Sequence, residues 1–178
     1  MSEARATHRR VMNMICRGVL ATTDDDNGMQ LQQVSLLRDE AKTAVERFQN
    51  YGFSSNAPAD SEVIVVFVGG GRDHGVVVGT DDRASRFTGL AAGEVAIYTN
   101  EGDSIVLRRD NIIEITTKTL IITAEEAVTI KADKLEIEAP EIAIKGDIEL
   151  DGSLNATGSV NAPGGGVGGP STSSGQAP

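Results

Sequence analysis

Several places in this 178-residue chain carry residue types that could do chemistry. Asp24-Asp25-Asp26-Asn27-Gly28 gathers carboxylates in the manner of a calcium loop. Such a loop needs oxygen ligands at alternate positions and a closing bidentate glutamate. Aligned on Asn27-Gly28, Thr23 falls at the first ligand position and Val34 at the closing one, so a solvated hairpin turn is the better reading. Asp151, Ser153 and Asn155 also offer oxygens at alternate positions and again read as a turn. Gly69-Gly70-Gly71 could cradle a phosphate through backbone N–H groups. No Gly-Lys-Ser/Thr follows, and the next segment reads as a strand, so the helix dipole that would hold the anion is missing. Cys16, the single cysteine, could be a nucleophile only beside a base, and His8 and His74 each stand alone. A buried structural cysteine is expected. No carboxylate pair, Ser-His-Asp set or Cys-His set can be assembled, so the expectation is no catalytic residue, no cofactor and no metal.

Bulk properties narrow the classes further. A formal charge of −10 argues against nucleic acid, which needs clustered Lys and Arg. Between Glu101 and Asp151 there are 13 acidic and 6 basic residues, so −7 of that charge sits in one segment, which should repel anionic surfaces. Trp is absent and Phe plus Tyr number six, so the aromatic anchors of a large single-chain core are scarce. Arg5, Arg9, Arg10 and Arg17 precede no long apolar stretch, so no signal peptide is expected. No run approaches the ~18 apolar residues of a membrane-crossing helix. A chain made in the cytoplasm is the expectation.

The elements that would position these residues change character half way along. Val11, Met14 and Ile15 lie at helical spacing, which predicts a short amphipathic helix from Thr7 ended by Gly18. Gly18 to Thr23 and Met29 to Leu37 then read as a hairpin about the acidic turn. Glu40 to Asn50 is helical or strand-and-turn by composition, and Tyr51 to Asp60 reads as a loop. Glu62 to Val68 and Gly75 to Thr80 are β-branched strands flanking the glycine turn. Short strands joined by turns suit a small β-barrel.

Six apolar pairs follow, each separated by one residue: Ile113 and Ile115, Leu120 and Ile122, Val128 and Ile130, Leu135 and Ile137, Ile142 and Ile144, Ile148 and Leu150. Their starts lie 7, 8, 7, 7 and 6 residues apart. A coiled coil would space apolar residues three and four apart, whereas a spacing of two puts both on one face of a strand. Thr, Ile and Val enrichment agrees, and Pro140 falls at a unit boundary. Glu114, Thr129, Glu136, Ala143 and Glu149 lie between the pairs and form the opposite face. Each aliphatic side chain contributes about 1.5–3 kcal/mol when buried, against ~1–2 kcal/mol per residue for ordering the backbone. A one-sided ribbon left in water is therefore unstable. Identical copies can supply the cover by turning their apolar faces to a common axis, giving an intertwined, triple-stranded β-helix. A single-chain solenoid is the alternative, but its rungs typically take about 20 or more residues, so six short units make barely two turns. Beyond Leu150 the pattern fades, and Pro163 to Pro178 is a Gly/Ser/Pro-rich stretch read as a flexible tail.

Gly75-Val76-Val77-Val78-Gly79-Thr80-Asp81-Asp82-Arg83, then Leu90-Ala91-Ala92-Gly93-Glu94-Val95-Ala96-Ile97-Tyr98-Thr99-Asn100-Glu101-Gly102-Asp103, then the repeated Ile-x-Ile pairs, occur in an order that resembles the phage Mu type of baseplate spike in the baseplate assembly protein V group. The likeness covers about residues 5–150. It implies an all-β chain with a short N-terminal helix, organised as an OB-like barrel over residues 1–92, a connection over 93–112, a needle over 113–160 and the tail over 163–178.

The implied function is a homotrimeric, non-enzymatic central spike of a contractile tail baseplate, located in the virion, that aids assembly and punctures the host envelope. The implied partners are two further copies, a baseplate hub protein and the host outer envelope. Needles of this type often end in a His-x-His pair that holds iron, and this chain has none. Either a separate tip-capping protein covers the blunt end or the Gly-rich tail folds back. A trimeric tail-fibre or adhesin stalk is the alternative, although the stretch after Val160 is poor in the apolar residues a receptor-binding head would need.

Overall fold

A computed structural model describes residues 3–26, 28–37 and 40–158. The chain divides into two units, residues 1–123 and 124–178. In the first, helix α1 (Glu3–Met12) leads into β1 (Ile15–Asp24), β2 (Gln30–Ser35), β3 (Ala41–Arg47), β4 (Glu62–Phe67) and β5 (Gly75–Asp81). These five strands close a barrel in the order β1-β2-β3-β5-β4, with β4 returning to β1. β3 and β5 form its one parallel pair.

Alternation along the strands builds the core. Leu20, Val34, Val45, Val63, Val65, Phe67 and Val77 point inward and are buried, with Cys16, Leu36 and Ala57 packed against them. β2 also turns Gln30 and Gln32 inward, in step with Val34, because residues two apart share a face. The Gln32 amide donates to Thr23 Oγ1 at 3.3 Å. Arg72 covers the core at the other end. It stacks 4.5 Å from the Phe67 ring centroid, and it donates to Glu40 Oε1 at 2.9 Å and to Cys16 Sγ at 3.1 Å. The thiol is half-buried.

The helix begins and ends earlier than its spacing predicts. Ile15, Cys16 and Arg17 pair with Val66, Val65 and Ile64 as strand, because β4 offers a full ladder that one more helical turn could not match. Gly18 is therefore no helix stop but a mid-strand residue. A Cβ there would lie 2.7 Å from the Ser35 carbonyl oxygen and 2.7 Å from Leu36 Cδ2, so only glycine lets β1 and β2 approach so closely. The ambiguous stretch after Glu40 is a strand, and Ala44, with φ of 54°, sits where the register of β2 and β3 shifts. Gly69-Gly70-Gly71 forms the β4–β5 turn, with Gly69 and Gly70 in the left-handed region. The acidic residues form the β1–β2 turn, where Asp26 N–H donates to Asp24 Oδ1 at 3.2 Å. Among the described residues no group of three or more His, Cys, Asp and Glu side chains could hold a metal ion. None of the described helices is long and apolar enough to cross a membrane.

Candidate functional site

Past the barrel, β6 (Val95–Tyr98), β7 (Ser104–Arg108) and β8 (Ile112–Thr116) form an antiparallel sheet in chain order. Its turns are defined by local chemistry. Gly102, at φ 96°, allows the β6–β7 turn, and Asp103 accepts from Thr99 Oγ1 at 3.2 Å and Thr117 Oγ1 at 2.8 Å. Asp110 and Asn111, both at φ 61°, make the β7–β8 turn. Glu94 braces the sheet's start, accepting the N–H groups of Ala91 at 2.9 Å and Arg109 at 3.3 Å. Those two donors, with the charges of Arg108 and Arg109, hold its carboxyl below the usual glutamate range.

The register decides which side chains share a face. Val95 lies opposite Leu107, and Leu107 opposite Ile113; Ile97 lies opposite Ile105, and Ile105 opposite Ile115. Directly opposed residues point the same way, so six aliphatic side chains form two rows across three strands. All six are exposed in the single chain. On the reverse face only the middle strand is covered: Val106 and Ser104 are buried and the Phe87 ring lies 6.1 Å from that of Tyr98, while Ile112 on β8 stays exposed. The reverse side is partly covered within the chain, and the aliphatic side is not covered at all.

Of the twelve residues singled out in the repeat, Ile113 and Ile115 lie on this open face. Val95, Ile97, Ile105 and Leu107 join them and were missed by the sequence reading. The signal was present, since Val95-x-Ile97 and Ile105-x-Leu107 have the same spacing of two.

The other ten, from Leu120 to Leu150, follow on a chain that is extended without strand pairing among the described residues. It bends at 118, 125–126, 133, 140 and 146, each time between one apolar pair and the next, and again at 151–152 after the last pair. Every residue from 107 to 158 is exposed, and each of the twelve aliphatic side chains is more than half open to water, from Ile115 at 51% to Ile122 and Ile148 at 69%. Nothing in this surface resembles a catalytic constellation. In each unit it is a succession of exposed aliphatic pairs, with carboxylates among them. Residues 159–178, and with them the Gly/Ser/Pro-rich stretch, lie outside the described residues.

Residues 17–84, which span the barrel strands, match the family described as Bacteriophage Mu Gp45, N-terminal. The baseplate puncturing device gp45 of Escherichia phage Mu is 37% identical over 142 residues, covering 80% of this chain and 68% of that protein. The Mu-like prophage FluMu protein gp45 of Haemophilus influenzae is 32% identical over 144 residues, covering 81% of this chain and 78% of that protein. Likeness of this extent, over about four fifths of the chain, makes the chain a member of the phage Mu Gp45 family.

Proposed function

We propose that this chain is the central spike of a contractile tail, a structural protein of the virion baseplate in which three copies wind residues 113–160 into one needle. The phage Mu relative is a baseplate puncturing device, which supports the same place and mechanical role here. The observation that carries the reading is the open aliphatic strip. Twelve side chains at regular spacing stand in water, and the chain bends between each pair. Three strips turned to a common axis would bury the pairs, leave Glu114, Glu136 and Glu149 outside and pair the free backbone edges between chains. The sheet face of Val95, Ile97, Ile105 and Leu107 would extend that core upstream as a collar.

Mechanically, a needle whose strands come from all three chains cannot fray one chain at a time. Force along its axis is shared by interchain ladders and a dry core. Its solvent face is acidic, which keeps it from adhering to the anionic surface it crosses. The barrel, whose strand order supports an OB-type assignment, is the end proposed to meet the tail hub. Puncture needs no bond-making step, and no catalytic role is assigned to any residue.

The deciding measurement is the mass of the purified protein in solution, by light scattering and sedimentation. Three chains that stay together on heating and in detergent are expected. A folded monomer at low concentration would refute the needle.

A further inference from the structure

The end of the barrel at the β1–β2 turn carries a feature the spike does not use. A cleft of about 580 Å³ opens there, between that turn, the start of β2, the end of β3 and the loop after it. This volume is within the roughly 300–1,000 Å³ of small-ligand sites. Phe48, Tyr51 and Phe53 line it, and all three are exposed, Tyr51 completely. They are half of the six aromatic residues in the chain, which has four Phe and two Tyr.

The loop that presents them is tied down. Arg47 donates to the Ser55 carbonyl at 2.6 Å, to the Ser55 hydroxyl at 3.0 Å and to Gln30 Oε1 at 3.0 Å. Gln49 Oε1 accepts from Ser55 N–H at 2.9 Å and from its hydroxyl at 3.2 Å. Phe53 N–H closes a turn on the Asn50 carbonyl at 2.9 Å, and Gly52, at φ 87°, supplies its left-handed residue. Phe48 N–H binds the Val77 carbonyl at 3.0 Å. Rings held out on a fixed loop lose little conformational entropy when a ligand arrives.

The lining chemistry selects the ligand. Among the described residues of the cleft Arg47 is the only cation, and both its terminal nitrogens already donate, to Gln30 and Ser55. A polyphosphate would meet Asp25 and no uncommitted positive charge, on a chain of net −10. A purely apolar segment would cover the Asn50 amide and the Gln49 NH2 group, whose oxygen alone is held by Ser55, without giving them partners. A neutral sugar ring meets both demands. Its C–H face, which is weakly positive, lies against an aromatic face, which is negative. Its hydroxyls reach the amides and the carboxylate. In five-stranded barrels of the OB type, the β1–β2 loop and the β2–β3 face are where oligosaccharides as well as oligonucleotides bind. We propose that this cleft binds a neutral oligosaccharide, with Tyr51 and Phe53 as stacking faces and Asp25, Gln49 and Asn50 as hydroxyl partners.

The test titrates the full chain with a neutral N-acetylglucosamine tetramer, a neutral glucose hexamer, an anionic uronate hexamer and a thymidine oligonucleotide. Calorimetry reads binding, and tyrosine fluorescence reports it in a chain without Trp. At least one neutral sugar should bind saturably and neither anion should. Tyr51→Ala should weaken binding at least about tenfold, the scale of losing one stacking face. Its melting temperature and oligomer mass should stay unchanged, because the Tyr51 ring makes no buried contact. Silence with both neutral sugars, preference for an anion, or parental binding by both Tyr51→Ala and Phe53→Ala would overturn the site. So would a photocrosslinker at position 51 that couples to a neighbouring baseplate protein while the sugars give no signal. Because mass is read separately, failure here leaves the spike reading standing.

Discussion

The barrel and the repeat use the same residue types, Val, Ile and Leu at a spacing of two, and end in opposite situations. In the barrel, Leu20, Val34, Val63, Val65 and Val77 are buried by their own chain because the sheet closes on itself. In the repeat, Ile113 to Leu150 present the same alternation to open water. Closure needs turns that bring strands back within one chain, and the barrel has them. The units of about seven residues from Leu120 to Leu150 make no strand pairs within the chain, and the needle proposed above would give them cover from other copies. The β6–β8 sheet lies between these cases, with Ser104 and Val106 of one face buried by its own chain and the other face bare.

This contrast is breakable at named residues. The largest effect is expected from Ile137→Asp, which would bring three carboxylates to the proposed axis without partners. Sedimentation should show the trimer lost, and hydrogen exchange should show the barrel amides still protected. An unchanged trimer would count against the inward assignment.

Next is Phe67→Ala, which removes the largest fully buried side chain of the barrel and should cost about 3–5 kcal/mol of barrel stability. The needle should survive it, so that denaturant melts lose the first transition while detergent-resistant trimer persists on a gel. Joint loss of both would mean that the two regions fold as one cooperative unit.

A third test is Gly18→Ala, which pushes a methyl onto the Ser35 carbonyl and should cost roughly 1–3 kcal/mol, seen as a lower urea midpoint. The same substitution at Gly28, where a Cβ would meet nothing within 4 Å, should leave that midpoint nearly unchanged.

The smallest effect concerns pH. The hydrogen bond from Arg72, with the charges of Arg72 and Lys42, holds Glu40 below the usual glutamate range against the opposing effect of desolvation. A carboxyl depressed in the folded state contributes stability above its unfolded value, about 4.3, and loses it as pH falls through the folded value. The melting temperature of the parent should therefore drop more steeply below about pH 4.3 than that of Glu40→Gln. At pH 7 the variant should be less stable by about 1 kcal/mol, the worth of a partly exposed pair. Parallel pH profiles would remove Glu40 from the account.

Much of this was legible beforehand, and the misses share a cause. The strands over 18–23, 29–37, 62–68 and 75–80 could be read because half-buried sheet imposes alternation directly on side-chain type. Ile15 was assigned to the helix because Val11, Met14 and Ile15 satisfy helical spacing equally well. Only the ladder offered by β4 decides between the two readings. Ala41–Arg47 contains good helix formers and a single buried aliphatic, Val45, so nothing local shows that β2 and β5 flank it. The clustering of Phe48, Tyr51 and Phe53 around a cleft with Asp25 and Gln30 depends on β1, β2 and β3 ending together, which no local pattern records.

The sequence by itself determined the period of two, the regular units from Ile113 to Leu150, the concentration of acidic charge and the absence of any recognisable catalytic set. Each of these is a property of neighbouring residues, and short-range geometry translates it directly. Only the tertiary structure decided that the first strands close in the order β1-β2-β3-β5-β4, that Gly18 marks a close approach, and that Val95, Ile97, Ile105 and Leu107 share a bare face with Ile113 and Ile115. Register and closure set which distant residues face each other, and that choice is made by the summed pairing and burial of whole strands.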